Sequence, residues 1–173
     1  MRARVTLFPR DEKGTPMNAI EIMEQDHQEL KSSLARVMES PDRNKRELFS
    51  ALKRQLELHK RLGEQVLYPA VKSHSKATDF HGRYRLAHEE MDQILGLLDG
   101  LSIGHKDWTP TFLAMQAKVL SHISDQESHL IQTLRSLLSP QELEALGKIM
   151  DLRKRFDLRH SSGPAVGGAQ SSR

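Results

Sequence analysis

Asp26-His27-Gln28-Glu29-Leu30 returns later in the chain as Ala87-His88-Glu89-Glu90-Met91, and His59-x-x-x-Gly63-Glu64-x-x-Leu67 returns as His122-x-x-x-Gln126-Glu127-x-x-Leu130. The chain therefore reads as one two-segment unit written twice. Working outward, Ile20, Met23, His27, Leu30, Leu34 and Met38 step by threes and fours, which is the period of a helix with one buried face. Asn18 with Glu21 three residues on forms a capping box at its start. Ser40-Pro41 predicts a second cap, and Leu48, Leu52, Gln55, His59, Gly63, Val66 and Ala70 carry the period through a second helix that Pro69 should kink or end. A third helix is expected from near Thr78, with His81, Tyr84, His88, Met91, Leu95 and Leu98 on one face. Thr109-Pro110 predicts the start of a fourth, with Phe112, Met115, Val119, His122, Gln126, His129 and Thr133 as its stripe. Ser139-Pro140 with Glu142 caps a shorter fifth helix, whose Leu143, Leu146 and Met150 would lie across the bundle end. The expected fold is all-α: an antiparallel up-down-up-down four-helix bundle with a short fifth C-terminal helix.

Composition bounds the chemistry. The 173 residues include nine histidines and no cysteine, so disulfides, thiolate-held metals and thiol nucleophiles are excluded, and any metal site must use nitrogen and oxygen. A formal net charge of +3 is too modest to argue for nucleic-acid binding, and no apolar run approaches a membrane span, so a cytoplasmic protein is expected. Residues 1–16 read as a loose arm, 17–157 as the bundle and 158–173, rich in Ser, Gly, Ala and Gln, as a disordered tail.

Each long helix places one histidine on its buried stripe. A lone histidine there is usually a satisfied core residue, but burying four imidazoles is costly unless each finds a partner, and a shared metal satisfies them together. Neutral imidazole suits iron, copper, zinc and nickel alike. The stretches around His27, His59 to Leu67-Tyr68-Pro69, His88 and His122 to Leu130, with Leu138-Ser139-Pro140-Gln141-Glu142-Leu143 after them, resemble the hemerythrin-like HHE cation-binding domain family over roughly residues 20–155. That resemblance implies a bundle around a non-haem di-iron centre, used for binding oxygen, for peroxide or nitric oxide chemistry, or for sensing iron and oxygen.

The chain departs from the family where a glutamate four residues after histidine bridges the irons: Gly63 and Gln126 stand there instead. On an α-helix a residue four positions on lies about 40° round from the histidine, and one five on lies about 140° away. Glu64 and Glu127 reach the core only through a π-bulge, a rare feature concentrated at functional sites. The oxygen-carrying hemerythrins place their second carboxylate five residues after histidine, and have another histidine where this chain has Tyr84. The candidate metal ligands are His27, His59, His88, His122, Glu64 and Glu127, with Tyr84 and Gln126 as hydrogen-bonding neighbours. Three arrangements follow: a di-iron site completed by the two glutamates, one divalent ion among the histidines, or haem between two opposed histidines with Gly63 leaving space for the ring. The expected role is binding or sensing a small diatomic ligand or peroxide, or handling iron, rather than turnover of an organic substrate. A metal-free helical interaction module is the rival.

Overall fold

The structure is a computed structural model that describes residues 16–74 and 79–160. The arm, the tail beyond His160 and the expected helix start at Thr78 lie outside the described residues. Seven helical segments follow one another: α1 (Ala19–Glu39), α2 (Asp42–Leu62), α3 (Tyr68–His74), α4 (Phe80–Gly100), α5 (Trp108–Asp125), α6 (Ile131–Leu137) and α7 (Pro140–His160). A single π-helical turn, Gly63–Leu67, welds α2 to α3, and another, Gln126–Leu130, welds α5 to α6, so the bundle has four long rods.

The caps explain most boundaries. Asn18 accepts from the backbone N–H groups of Ile20 and Glu21 while Glu21 accepts from Asn18, the reciprocal box read from the sequence. Ser139 and Glu142 form the same box at the start of α7. Two starts differ from expectation. Ser40 closes α1 and Pro41 precedes α2 without a side-chain cap, and α5 begins at Trp108, ahead of Thr109-Pro110.

The fifth helix is a full 21 residues, not a short one, and it runs through 158–160, where the tail was expected to begin. It packs on α1. At that crossing Gly147 lets the backbones touch, since a Cβ there would stand 2.5 Å from the Met17 carbonyl oxygen.

Pro69 does not end the second rod, which continues to His74. Proline removes an i to i−4 hydrogen bond and crowds the preceding turn. Here the turn before it is already widened: Tyr68 N–H reaches back five residues to the Gly63 carbonyl. The second π turn closes the same way, from Ile131 N–H to the Gln126 carbonyl. Each wide turn shifts the phase of the buried stripe. Downstream of Gln126 the core positions become Leu130, Ile131, Leu134 and Leu138, while His129 is exposed and pairs with Asp125 in its own rod at 3.1 Å. His81 is exposed too, so neither histidine lies on the buried stripe predicted for it.

Two apolar clusters fill the bundle. One gathers Ile20, Met23, Leu62, Leu67, Tyr84 and Leu130, and the other Leu30, Leu34, Leu56, Met91, Phe112 and Val119. On every rod the histidine falls between the two. Burial of these side chains, worth about 1.5–3 kcal/mol each, holds the four helices at fixed separations, and the imidazole layer is the polar seam in the middle.

Candidate metal centre

His27, His59, His88 and His122 meet at one level, each no more than 5% exposed. Neighbouring ring centroids lie 4.8 to 5.9 Å apart along the sequence His27, His59, His122, His88. Every ring turns its Nε2 inward. The Nε2 atoms of His27 and His59 stand 3.2 and 2.9 Å from Gln126 Oε1, and those of His88 and His122 stand 3.3 Å from each other.

Three of the outward Nδ1 atoms rest on carboxylates: Asp26 on His59 at 2.7 Å, Glu64 on His88 at 2.8 Å and Glu127 on His27 at 3.1 Å. The π turns are what bring Glu64 and Glu127 to these positions. The expectation that they ligate metal directly is not what the geometry shows. Both bind the outer nitrogen of a histidine on the neighbouring helix, and both remain about a third exposed. The buried Nδ1 of His122 has no hydrogen-bond partner among the described residues.

A carboxylate only accepts, so each of these three Nδ1 atoms carries its ring's proton and each Nε2 presents a lone pair to the interior. Burial favours the neutral form of His27, His88 and His122. It pushes His27 down to about 4 and His122 down to about 2, helped in each case by the neighbouring imidazoles, and it lowers His88 despite Glu64. Asp26 is pushed up by its own burial, but the hydrogen bond from His59 and the nearby Lys154 outweigh this and hold it below the usual carboxylate range.

This arrangement tests the fit to a metal. With Gln126 Oε1 facing His27 and His59, three acceptors converge with no proton between them, which is the electrostatic complement of a cation. Two donors bound to one ion at about 2.0–2.1 Å stand roughly 3–3.4 Å apart, and the observed spacings of 2.9, 3.2 and 3.3 Å are of that size. The carboxamide is pseudo-symmetric. Turned over, its NH2 donates to both imidazoles and its oxygen accepts from the Tyr68 hydroxyl, 3.1 Å away, so the His27 and His59 side of the layer is also satisfied without metal. Among the described residues no three His, Cys, Asp or Glu donors already surround one point. The donors form two adjacent part-sites, His27 with His59 and Gln126, and His88 with His122. Neutral nitrogen and amide oxygen fit a divalent transition-metal ion, whereas a carboxylate-bridged pair of ions is not built.

Tyr68 and Asp26 were not singled out from the sequence. The Tyr68 ring fills the room above Gly63, where a Cβ would come within 2.7 Å of its hydroxyl oxygen, so the space expected there for a porphyrin is taken. Burial raises the Tyr68 phenol well above its ordinary range. Asp26 had a signal: the repeat sets it opposite Ala87, and an acid in only one half of a repeat marks an asymmetric task. Tyr84 packs edge-on against His122 at 5.0 Å, and its buried phenol is raised by desolvation and by Asp125.

An inward-facing imidazole quartet in an antiparallel helical bundle defines a hemerythrin-like metal-binding protein. The chain belongs to the hemerythrin family, whose HHE cation-binding domain pattern matches residues 18–134. In fold it is similar to a hemerythrin HHE cation-binding domain-containing protein from Mycobacterium kansasii, with a TM-score of 0.77 and 20% identity over 88% of this chain and 95% of that one. It is also 26% identical over 129 residues to a DNA nickase of Nostoc sp. (strain PCC 7120 / SAG 25.82 / UTEX 2576), a match that takes in 74% of this chain. The chain spans 36% of that curated relative's length.

Proposed function

We propose that the protein holds iron at the inward nitrogens of His27, His59, His88 and His122, with the Gln126 amide oxygen as a further donor, and binds or senses oxygen, peroxide or nitric oxide there. The convergence of four Nε2 atoms on one buried layer, three of them with the lone pair fixed inward by a carboxylate on Nδ1, carries this reading. When bound, the ion supplies an open coordination position and a redox couple. The protein supplies the rest. Asp26, Glu64 and Glu127 orient the rings, fix their tautomers and place negative charge one imidazole away from the ion. Lys154 and Lys31 in turn hold Asp26 and Glu127 at 3.4 and 3.0 Å. The two apolar clusters pack the bundle on either side of the layer.

Among the described residues no helix is long and apolar enough to cross a membrane, which supports the proposal of a cytoplasmic protein. The relative's DNA nicking is not carried over, because the histidines lie inside the bundle, beyond reach of a phosphodiester backbone. Metal analysis with a visible spectrum of protein purified from iron-replete cells tests the reading. Iron bound in the purified chain and lost in His59→Ala is the expected result. A colourless, metal-free protein would favour the helical interaction module, for which the turned Gln126 amide already satisfies His27 and His59.

A further inference from the structure

The repeat that matches the two histidine pairs breaks down on the outside of the bundle. Positions two before and nine away from a histidine lie about 160° and 180° round the helix from it, on the outward side. In the first half of the repeat these are Gln25 and Arg36 on α1 and Glu57 and Ser50 on α2, all polar. In the second half they are Leu86 and Leu97 on α4 and Leu120 and Leu113 on α5. Those leucines are 60, 63, 39 and 47% exposed. Single exposed leucines are ordinary on a protein surface, but four at matched positions of two neighbouring helices make one apolar face. Helix α1 packs with α2 and α4 with α5, and α7 lies against α1 and α2. The α4–α5 layer is therefore the one with no helix laid across it among the described residues.

Charge decides what kind of partner fits. Every Lys, Arg, Asp and Glu of α4 and α5 already has an ion-pair partner within the chain. Arg83 with Asp125 and Lys118 with Glu90 join the two helices, Arg85 meets Glu89 along α4, and Asp92 and Asp99 meet lysines of α2. A nucleic acid or a charged peptide meets no unpaired charge on these helices, whereas a second copy of the same apolar face needs none.

The spacing is self-complementary. On α4, Leu86, Glu90, Gln93 and Leu97 are separated by four, three and four residues, the rhythm of a helix-pairing seam. A twofold axis crossing α4 between residues 91 and 92 sets Leu86 against the partner's Leu97, and the Gln93 amide, a donor, against the carboxylate of the partner's Glu90. For Leu113 and Leu120 to meet in the same way, the axis must cross α5 between residues 116 and 117. His88 and His122 stand level, so the two crossing points differ by two residues, about 3 Å at the helical rise. One axis serves both helices. With 21 and 18 residues, α4 and α5 present an outer face of about 27 by 20 Å in projection, which side-chain relief brings to the order of the 800 Å² that each partner of a standard interface buries.

We propose that the protein is a twofold-symmetric homodimer in which the α4–α5 faces of two copies pack together, α4 antiparallel to α4. The pairing does not involve the imidazole layer.

Sedimentation equilibrium of the full chain, as purified and again after chelation, tests it. Twice the chain's mass is expected in both forms, so a protein that proves to hold no iron leaves this result standing. Leu97→Glu and Leu113→Glu should each abolish the dimer while circular dichroism shows the helices intact, because both side chains stand in water in the single chain. Ile149→Glu, at an exposed apolar position on α7, should leave the dimer in place. The chain has no cysteine, so a single introduced one reports without background. Gln93→Cys, beside the axis, should cross-link to its own copy through a short bismaleimide, and Arg54→Cys, exposed on α2, should not. A monomer at about 100 μM, where even micromolar self-affinity would saturate, would overturn the proposal. So would a dimer that survives both leucine substitutions, a dimer lost with Ile149→Glu alone, or cross-linking of Arg54→Cys and not of Gln93→Cys.

Discussion

Acid should unfold the metal-stripped protein early and steeply. His27 and His122 are held neutral, their folded values lowered from 6.5 to about 4 and about 2, chiefly by burial. Below pH 6.5 the unfolded chain takes up protons that the folded chain refuses, so stability rises with pH and is lost as pH falls. Each such ring costs about 1.36 kcal/mol per pH unit between 6.5 and its folded value. From pH 6.5 to 5 this is about 2 kcal/mol per ring and about 4 kcal/mol for the two. That is a large part of the 5–15 kcal/mol typical of a whole domain. Urea denaturation followed by circular dichroism at pH 7, 6 and 5, after chelation, reads the effect as a falling midpoint at constant slope. The window lies above the range where ordinary carboxylates titrate, which isolates the imidazoles. A midpoint that does not move between pH 7 and 5 would refute the reasoning, since it would mean that the rings are solvated or already charged in the fold.

Asp26→Asn should lower metal affinity about 10–100-fold, because an amide can donate to His59 Nδ1 and so turn its lone pair away from the interior; competition with a chelator measures it. Gln126→Glu should raise metal content and lower the stability of the metal-free protein, because the carboxylate replaces an amide with no exposure at all and cannot donate to two imidazole lone pairs. Elemental analysis and urea melts of both forms check it, and unchanged metal content would mean that position 126 does not face the ion. Gly147→Ala should cost about 1–3 kcal/mol in a thermal melt, since its Cβ would press on the backbone of Met17 and Asn18, which has no rotamer to retreat into.

The bundle and its imidazole layer were legible because both rest on local period. Stripes of apolar residues three and four apart, the Asn18 and Ser139 boxes and the repeated histidine segments each state a helix face, and their agreement leaves one architecture. The π turns were less legible, because one extra residue in a turn changes no composition. Their trace in the sequence is a slipped stripe: after His122 the buried positions are Gln126, Leu130, Ile131 and Leu134, not His129 and Thr133. What α7 packs on was missed for another reason. Gly147 marks a close approach between backbones, and neither propensity nor period says what approaches. The roles of Asp26 and Tyr68 depend on which helix stands beside them, which no single stretch encodes.

The question of how a histidine-rich core balances a cation's charge without the family's bridging glutamates has a structural answer in the outer ring of contacts. The wide turns carry Glu64 and Glu127 out of line with their own helices and onto His88 and His27, and Asp26 completes the set on His59. Negative charge is thus moved one imidazole outward, to positions where two of the three carboxylates also meet a lysine and two are reached by solvent. This lowers the desolvation cost of the acids, which ligation in the dry interior would impose in full. It also fixes three protons on the outer nitrogens, which is the condition for three lone pairs to point inward. A glutamate at position 63 would have to displace the Tyr68 ring, and Gln126 can face the layer with either end of its amide, so Gly63 and Gln126 are the residues that let this core exist both with and without an ion.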